Sequence, residues 1–392
     1  MPVRRLARVV VLSNGAAGAE KQALALSARL RLRLSPEPCD AVRCVRVAPT
    51  RFAQALPPLA HVAAAAAVGD PLFGYALSAS EQRLLLHGDH NDDSTANTHR
   101  KPLSVVVGCG RTTVALGVAL KRAARADVFA VQIQHPRVPL ACFDAVVAPL
   151  HDFSLREQAA PPPGLFLTTG TVHDVSEELL ARAAAQWRSR LGDLAAARRV
   201  CVAWLVGGPC RGFAFTPDDA SAMVRQFVRV LLSTTAAADG CDAPAVFVTF
   251  SRRTPAKVVE IIERELRAAF SGDHQLFVWG GDGENPYHAF LALATLVVTT
   301  PDSISMTTEA VASARPVLTI SAERAQGKFR RFHESLFASA FSAPFTAANV
   351  ALALQAPGRS PPGRVLPAPH EALEREVSAI VDSLAQRIER LL

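Results

Sequence analysis

LVVTTPDSISMTTEAVASARPVL, residues 296–318, contains the pattern on which the fold assignment depends. A short apolar run rich in β-branched residues meets a Pro-Asp-Ser break, a stretch of small residues comes next, and Pro316 precedes a second apolar run. These features predict a strand, a turn, a helix and another strand, which is the repeating unit of an α/β fold.

The start of the predicted helix is rich in hydroxyl groups. Ser303 and Ser305 lie where the first backbone N–H groups lack partners and where the helix dipole favours an anion, and Glu309 comes one to two turns later. Hydroxyls at a helix start, with a carboxylate able to bind a ribose diol, suit a nucleoside diphosphate. The spacing alone slightly favours the alternative, a structural helix that Ser303 caps and whose Glu309 faces solvent.

Composition indicates a globular protein of two domains. The 392 residues are 49% hydrophobic and 20% charged, enough to form two buried cores. The apolar runs are shorter than the roughly 18 residues of a membrane helix, so we do not expect an integral membrane protein. The formal charge is +7, but the arginines are scattered and aromatic residues make up only 6%, so nucleic acid is not an expected partner.

The seven cysteines are odd in number and include no CxxC pair, which predicts reduced thiols in a cytosolic compartment. Residues 87–101, HGDHNDDSTANTHRK, contain three histidines and three aspartates. Because this segment lacks apolar periodicity, we interpret it as an inserted surface loop, and we expect no metal site.

Small or polar residues come after the predicted strands of the first half. The strand at 9–12 leads to a loop that ends near Lys21, the strand at 104–108 leads to a Gly-Cys-Gly-Arg turn, and the strand at 128–133 ends in a polar run. Ligands of open α/β sheets bind at such strand ends, although loops of this kind are also often structural. The candidates are Asn14, Gly15, Gly18, Gln22, Gly108, Gly110, Arg111, Gln134 and Arg137.

A histidine and an aspartate come directly after the predicted strand at 143–149. His151 could act as a base that Asp152 orients. Adjacent side chains seldom face each other, so a structural role for this pair stays open.

The second half repeats the pattern after a predicted linker at 192–199. A strand at 200–206 leads to Gly207, Gly208 and Pro209, and a strand at 245–250 leads to Ser251, Arg252 and Arg253. Two arginines at a strand's carboxyl end, beside a helix start at Pro255, predict an anion site.

The predicted organisation is an N-terminal Rossmann-like domain (1–192, with the insertion at about 87–101), a C-terminal one (199–356), and a linker with a final helix (357–392). The final helix has one apolar stripe, and its other face mixes acidic and basic residues, which favours packing on a domain over lying on a membrane surface. Two doubly wound sheets in series predict a ligand site in a cleft between them.

Segments spread over nearly the whole chain resemble one known family. They are NGAAGAEKQ (14–22), VVVGCGRTT (105–113), VQIQHPRVPLACFDAVVAPLHD (131–152), LVGGP (205–209), TFSRRTP (249–255), GENPYHAFLALA (283–294) and TPDSISMTTEA (300–310). Together they resemble the mitochondrial-fission family of the plant elongated-mitochondria protein and its uncharacterised bacterial relatives.

This resemblance implies a GT-B-like fold similar to that of nucleotide-sugar glycosyltransferases, in which the second domain holds the nucleotide. In such enzymes a glutamate like Glu309 binds the ribose, and a helix start like that at Ser305, Met306 and Thr307 meets the phosphates. Beside these positions, the residues themselves supply Ser251, Arg252 and Arg253 for the phosphates, and Glu284 and Asn285 are further nucleotide-binding candidates.

The resemblance implies two functions of different classes. The first is a non-catalytic adaptor, cytosolic and peripheral on the mitochondrial outer membrane, that helps recruit a dynamin-related GTPase for fission. The alternative is a metal-independent glycosyltransferase with a nucleotide-sugar donor, no required cofactor, and Glu20, His151 or Asp152 as the base. In a bacterium, the protein would be cytoplasmic.

Overall fold

The computed structural model describes residues 6–35, 42–86, 102–191, 200–236, 244–272, 275–355 and 368–392. The predicted insertion at 87–101, the linker at 192–199 and nearly all of the linker at 357–368 lie outside these ranges. The chain forms two compact units. The N-terminal unit comprises Met1–Asp174 and Arg375–Leu392, and the C-terminal unit comprises Val175–Glu374.

The N-terminal unit is built on a parallel sheet of six strands in the order β2-β1-β5-β6-β7-β8. The strands of this unit are β1 (Leu6–Ser13), β2 (Arg43–Arg46), β3 (Ala48–Pro49), β4 (Tyr75–Ala76), β5 (Leu103–Cys109), β6 (Val128–Ile133), β7 (Ala145–Pro149) and β8 (Leu165–Thr168). Strands β3 and β4 form a separate antiparallel pair. The central strand β5 is buried along its whole length, as expected for a parallel strand covered on both faces.

The helices of the N-terminal unit are α1 (Ala17–Leu34), α2 (Arg51–Ala55), α3 (Pro58–Val68), α4 (Ala79–Leu86), α5 (Val114–Ala124) and α6 (Leu155–Ala159). Helix α1 begins earlier than the predicted start near Lys21, because Ala16 O already accepts hydrogen bonds from the N–H groups of Ala19 and Glu20. Gly18 and Glu20, predicted to lie in a loop, are therefore in the first turns of a helix.

The C-terminal unit contains a second parallel sheet of six strands, in the order β11-β10-β9-β12-β13-β14. Its elements are α7 (Glu177–Gln186), β9 (Cys201–Val206), α8 (Pro217–Ala236), β10 (Ala245–Phe250), α9 (Ala256–Ala269), β11 (Leu276–Trp279), α10 (Tyr287–Leu293), β12 (Leu296–Thr299), α11 (Ile304–Ala312), β13 (Val317–Thr319), α12 (Gly327–Ala338), β14 (Ala343–Pro344) and α13 (Ala347–Gln355). Counted from β9, this is the strand order of a Rossmann fold, and the order reverses between β9 and β12.

The boundary between the compact units falls at 174/175, earlier than the predicted linker. Helix α7 belongs to the C-terminal unit, and its Leu180 and Ala183 pack against the core cluster of that unit that contains Phe290. The fold is thus two Rossmann-like α/β units, as the sequence predicts, with the division placed before α7.

The last helix, α14 (Pro369–Glu389), packs on the body of the protein, as predicted. Its apolar stripe joins the core that contains β1 and β5, through Val377, Ile380, Val381, Leu384 and Ile388. On its polar face, Arg33 of α1 donates to Asp382 Oδ1 at 2.9 Å and to Glu389 Oε1 at 3.1 Å. In the part of the chain that the structure describes, no helix is long and apolar enough to cross a bilayer.

Candidate functional site

The carboxyl ends of β9 and β12 define the candidate site of the C-terminal unit. The two strands are adjacent and parallel, with Thr299 opposite Leu205, so the segments after them leave the same edge of the sheet. In open α/β sheets, ligands bind at the edge where the strand order reverses. Gly207 and Gly208 come after β9, and Thr300 and Asp302 come after β12.

Asp302 is the centre of a hydrogen-bond network at this edge, and it is not one of the site residues predicted from the sequence. Its side chain is 0% exposed. Oδ2 accepts hydrogen bonds from Gly208 N at 3.0 Å and Arg253 Nη2 at 2.8 Å, and Oδ1 accepts from Thr300 Oγ1 at 2.7 Å. The charge of the buried carboxylate is thus matched by a guanidinium and by two further donors, as burial of a charge requires.

The two glycines are required by the groups packed around them. A Cβ on Gly207 would overlap the Asp302 carboxylate, and one on Gly208 would overlap the backbone of Arg253. Gly207 N donates to Thr300 Oγ1 at 2.7 Å, and Gly207 O accepts from Thr254 Oγ1 at 2.6 Å. The loop after β9 is therefore held between the segments that come after β12 and β10.

The predicted anion ligands after β10 have different surroundings. Arg253 is ion-paired with Asp302, yet 46% of its side chain is exposed. Ser251 Oγ accepts from Arg253 N at 3.2 Å, and Arg252 is exposed. The pairing with Asp302 orients the Arg253 guanidinium at the edge of the sheet, and only part of the group is buried.

Helix α11 starts directly after Asp302, at the same edge. Ser303 is its N-cap, with Oγ accepting from Met306 N at 3.3 Å, as the position of this serine predicts. Thr307 is buried and donates to Ser303 O at 3.0 Å, whereas Ser305 and Met306 are half-buried. Glu309 is also buried, 6% exposed, and so does not lie on a solvated face.

Glu284 and Asn285 lie in the loop between β11 and α10. Glu284 accepts a hydrogen bond from Gln186 Nε2 of α7, and Asn285 Oδ1 accepts from Tyr287 N at 3.0 Å where α10 begins. Both residues thus have a local structural role beside the predicted ligand role.

In the N-terminal unit, the reversal of strand order falls between β1 and β5. Ser13 Oγ donates to Glu20, and Gly15 N donates to Ser13 Oγ at 3.0 Å. Asn14 Oδ1 accepts from Ala16 N at 2.9 Å, which leads the chain into α1. One further predicted residue, the buried Gln22, donates through Nε2 to Gly18 O at 2.9 Å.

The turn after β5 brings several predicted residues together. Gly110 has a φ of 84°, and a Cβ there would lie 3.7 Å from both Asn14 Nδ2 and Gln134 Oε1. At Gly108, a Cβ would overlap Thr113 Oγ1. The guanidinium of Arg111, another of the predicted strand-end residues, donates to Leu56 O at 2.7 Å and thus binds a backbone carbonyl.

His135, which is not one of the predicted site residues, lies between two of them in the loop after β6. Gln134 and Arg137 both have left-handed backbone conformations, with φ of 70° and 61°. The His135 ring stacks on Phe153 at 4.8 Å, and its Nδ1 accepts from Arg137 N at 3.0 Å. Burial, helped by the charge of Arg137, lowers the pKa of His135, and the charge of Asp152 opposes this shift.

His151 and Asp152 form a single helical turn directly after β7, where His151 is buried and Asp152 is half-buried. Among the described residues, no three His, Cys, Asp or Glu side chains are grouped so that they could hold a metal ion.

Two solved structures share the architecture over nearly the full chain. The UDP complex of MnaA from S. aureus has a TM-score of 0.50 at 12% identity and covers 95% of this chain and 91% of its own. The UDP-GlcNAc 2-epimerase of Methanocaldococcus jannaschii also has a TM-score of 0.50 at 12% identity, with 97% and 99% covered. At these identities the likeness shows the fold alone, a GT-B-like pair of Rossmann units.

Sequence comparison finds two curated relatives. Mitochondrial fission protein ELM1 of Arabidopsis thaliana is 32% identical over 250 residues, which are 59% of this chain and 55% of the relative. An uncharacterised protein of Rickettsia prowazekii (strain Madrid E) is 26% identical over 248 residues, which are 55% of this chain and 64% of the relative. The matched region thus spans less than two thirds of either relative.

The family profile described as mitochondrial fission ELM1 matches residues 17–362, a range that contains both parallel sheets apart from β1. The chain belongs to the mitochondrial fission ELM1 family.

Proposed function

We propose that the C-terminal unit binds a nucleoside diphosphate sugar at the carboxyl edge of β9 and β12. The observation that carries this proposal is the Ser303-capped start of α11, which follows β12 and the short segment 300–302 at the reversal point of a Rossmann sheet. The helix start meets the diphosphate, and Glu309, one to two turns further along, binds the ribose.

The charges around this edge support the binding of a diphosphate. Arg253 is oriented by Asp302 and remains 46% exposed, and Arg252 is exposed beside it. Two guanidinium groups and a helix dipole can stabilise the negative charge of a diphosphate without a metal ion. One structural neighbour is a UDP complex and another is a UDP-GlcNAc 2-epimerase, so uridine nucleotides are the first ligands to test.

For the cellular role, we propose a fission adaptor that helps recruit a dynamin-related GTPase. Membership of the family and 32% identity to the Arabidopsis fission protein support this role. Such an adaptor would work from the cytosol as a peripheral protein of the mitochondrial outer membrane, and in a bacterium this role would have no counterpart.

The alternative is a metal-independent glycosyltransferase. It shares the nucleotide site but also needs a base, for which Glu20, His151 and Asp152 of the N-terminal unit are the candidates. The two functions differ in one measurable respect, because an enzyme releases the nucleoside diphosphate from the sugar and an adaptor does not.

Calorimetry with UDP, GDP, ADP and CDP and their common sugar conjugates tests the binding site. We expect saturable binding of one nucleotide and a loss of about tenfold or more in Glu309→Ala. Glu263→Ala, which removes a carboxylate on α9 that pairs with Arg267, is the matched control and should bind normally. If no nucleotide binds to the wild type, the proposal of a nucleotide site is wrong.

Two further assays separate adaptor from enzyme. Release of the diphosphate from a bound nucleotide sugar would favour the glycosyltransferase, and binding without release would favour the adaptor. Direct binding to a purified dynamin-related GTPase is expected for the adaptor, and its absence would argue against that role.

A further inference from the structure

His333 on α12 contacts Pro301, the residue before Asp302 of the candidate site. It is not one of the site residues predicted from the sequence. The side chain is 1% exposed, and its ring is 5.0 Å from that of Phe332 and 6.0 Å from that of Phe337. Its Nε2 lies 3.0 Å from Pro301 O and its Nδ1 lies 3.4 Å from Thr319 Oγ1. One imidazole thus connects α12 with the segment after β12 and the end of β13.

The partners of the ring determine which nitrogen carries the proton. The carbonyl of Pro301 can only accept, so Nε2 is the donor, and Nδ1 accepts from the hydroxyl of Thr319. Burial lowers the pKa of His333 to about 4, so the ring is neutral at neutral pH. In this neutral form both nitrogens are matched to their partners.

The bond to Pro301 bears on the candidate site because Asp302 and Ser303 are the next two residues in the chain. The carbonyl of Pro301 is part of the planar peptide group between Pro301 and Asp302. A hydrogen bond to this oxygen therefore restricts the orientation of that peptide group, and with it the position of the Asp302 Cα that carries the side chain. Asp302 holds Gly208 and Arg253, and Ser303 caps α11.

We propose that His333 is a positioning residue, which holds the Pro301–Asp302 peptide so that Asp302 and the start of α11 keep the geometry of the site. The part of this inference that concerns a ligand rests on the proposed nucleotide site, and the part that concerns the peptide does not.

If His333 only filled space in the core, an apolar residue of similar size would replace it without local effect. His333→Leu removes both polar bonds and keeps an apolar side chain. His333→Gln places an amide N–H near the position of Nε2 and an oxygen able to accept from Thr319, so it is the matched control.

Hydrogen exchange of the backbone amides at residues 302–307 tests the positioning role without any ligand. In His333→Leu we expect these amides to exchange about tenfold faster than in the wild type, and in His333→Gln at close to the wild-type rate. Amides of α9 serve as the internal reference and should not change. Wild-type exchange in His333→Leu, or equal exchange in the Leu and Gln variants, would overturn the proposal.

A second variant is available if His333→Leu does not fold. Thr319→Val removes only the hydroxyl partner of Nδ1, and we expect exchange at 302–307 to rise about threefold. Unchanged exchange in a folded Thr319→Val would then count against the proposal.

Nucleotide calorimetry on the same variants connects His333 to the ligand. If the wild type binds a nucleotide, His333→Leu should lose about tenfold in affinity and His333→Gln should retain it. If the wild type binds none, the proposed function fails, and the exchange measurement still decides whether His333 positions the peptide.

Discussion

The carboxylate of Asp302 fills the space that a side chain on Gly207 would occupy. It also accepts a hydrogen bond from the N–H group of the next residue, Gly208, at 3.0 Å. Asp302 and Gly207 therefore depend on each other. The missing side chain of Gly207 leaves space for the Asp302 carboxylate, and this carboxylate fixes the loop after β9 through its hydrogen bond with Gly208.

Gly207→Ala should strongly destabilise the C-terminal unit, because the new Cβ would overlap a fully buried carboxylate that has three hydrogen-bond donors. We expect a loss of about 3 kcal/mol in the free energy of unfolding, measured by urea denaturation. Gly280→Ala is the matched control. Among the described residues nothing lies within 4 Å of a Cβ there, so the expected change is about 0.5 kcal/mol or less.

A double variant checks the cause. In Gly207→Ala/Asp302→Ala the carboxylate that the new Cβ would overlap is absent. The double variant should therefore lose less unfolding free energy than the sum of the losses of the single variants Gly207→Ala and Asp302→Ala. Strict additivity would show that the alanine acts through something other than Asp302.

Ser303→Asp separates the capping role of this serine from the proposed role of the helix start in phosphate binding. Aspartate is as good an N-cap as serine, so stability should change by less than about 0.5 kcal/mol, whereas Ser303→Ala should cost about 1 kcal/mol. The added negative charge, however, should weaken the binding of a nucleoside diphosphate by about tenfold. Calorimetry and thermal denaturation of both variants provide the two measurements, and undiminished binding by Ser303→Asp would place the phosphates elsewhere.

The sequence predicts those parts of the fold that local patterns determine. The apolar runs of β6 and β10 are bounded by Pro or polar residues, and their observed ends agree with the predicted strands at 128–133 and 245–250. Ser303 could be identified as a cap because a hydroxyl between a proline break and a run of small residues is itself a local signal.

The sequence does not predict relations that depend on long-range packing. Asp302 meets Gly208 and Arg253 only once three strands are assembled, and His333 reaches Pro301 from 32 positions away. The Pro-Asp-Ser break at 301–303 predicts a turn, but it does not predict that the side chain of Asp302 is buried. A signal for Asp302 did exist in the pair of glycines at 207 and 208, since such a pair often marks a close approach of another group.

Glu376→Gln should stabilise the N-terminal unit at neutral pH. Burial raises the pKa of Glu376, although hydrogen bonds from Thr169 N at 2.7 Å and Thr169 Oγ1 at 2.8 Å oppose this shift. Since the folded pKa lies above the unfolded one, the carboxyl favours folding when protonated and loses this contribution as the pH rises through its folded pKa. The neutral amide keeps an acceptor for Thr169 N, and the hydroxyl of Thr169 can turn to accept from the amide.

The midpoint of urea denaturation, measured for wild type and Glu376→Gln at pH 7 and at pH 4, tests this prediction. The variant should be the more stable protein at pH 7, and its advantage should shrink at pH 4, where the wild-type carboxyl is also largely protonated in both states. A variant that is less stable at pH 7 would show that the second carboxylate oxygen matters more than the cost of burying the charge.

His333 predicts an acid-sensitive contribution to the stability of the C-terminal unit. Its folded pKa of about 4 lies below the unfolded value of 6.5, so between these pH values the unfolded chain binds more protons than the folded one. Stability should therefore be greatest above pH 6.5 and should fall by about 1.4 kcal/mol per pH unit as the pH drops, or by about 3 kcal/mol at pH 4.

His333→Gln lacks this titration, so the difference in unfolding free energy between wild type and variant should be constant from pH 7 to 8 and should move by about 3 kcal/mol in favour of the variant from pH 7 to 4. A difference that stays constant down to pH 4 would mean that the buried ring accepts a proton at its ordinary pKa, and that burial does not disfavour the charged form of His333.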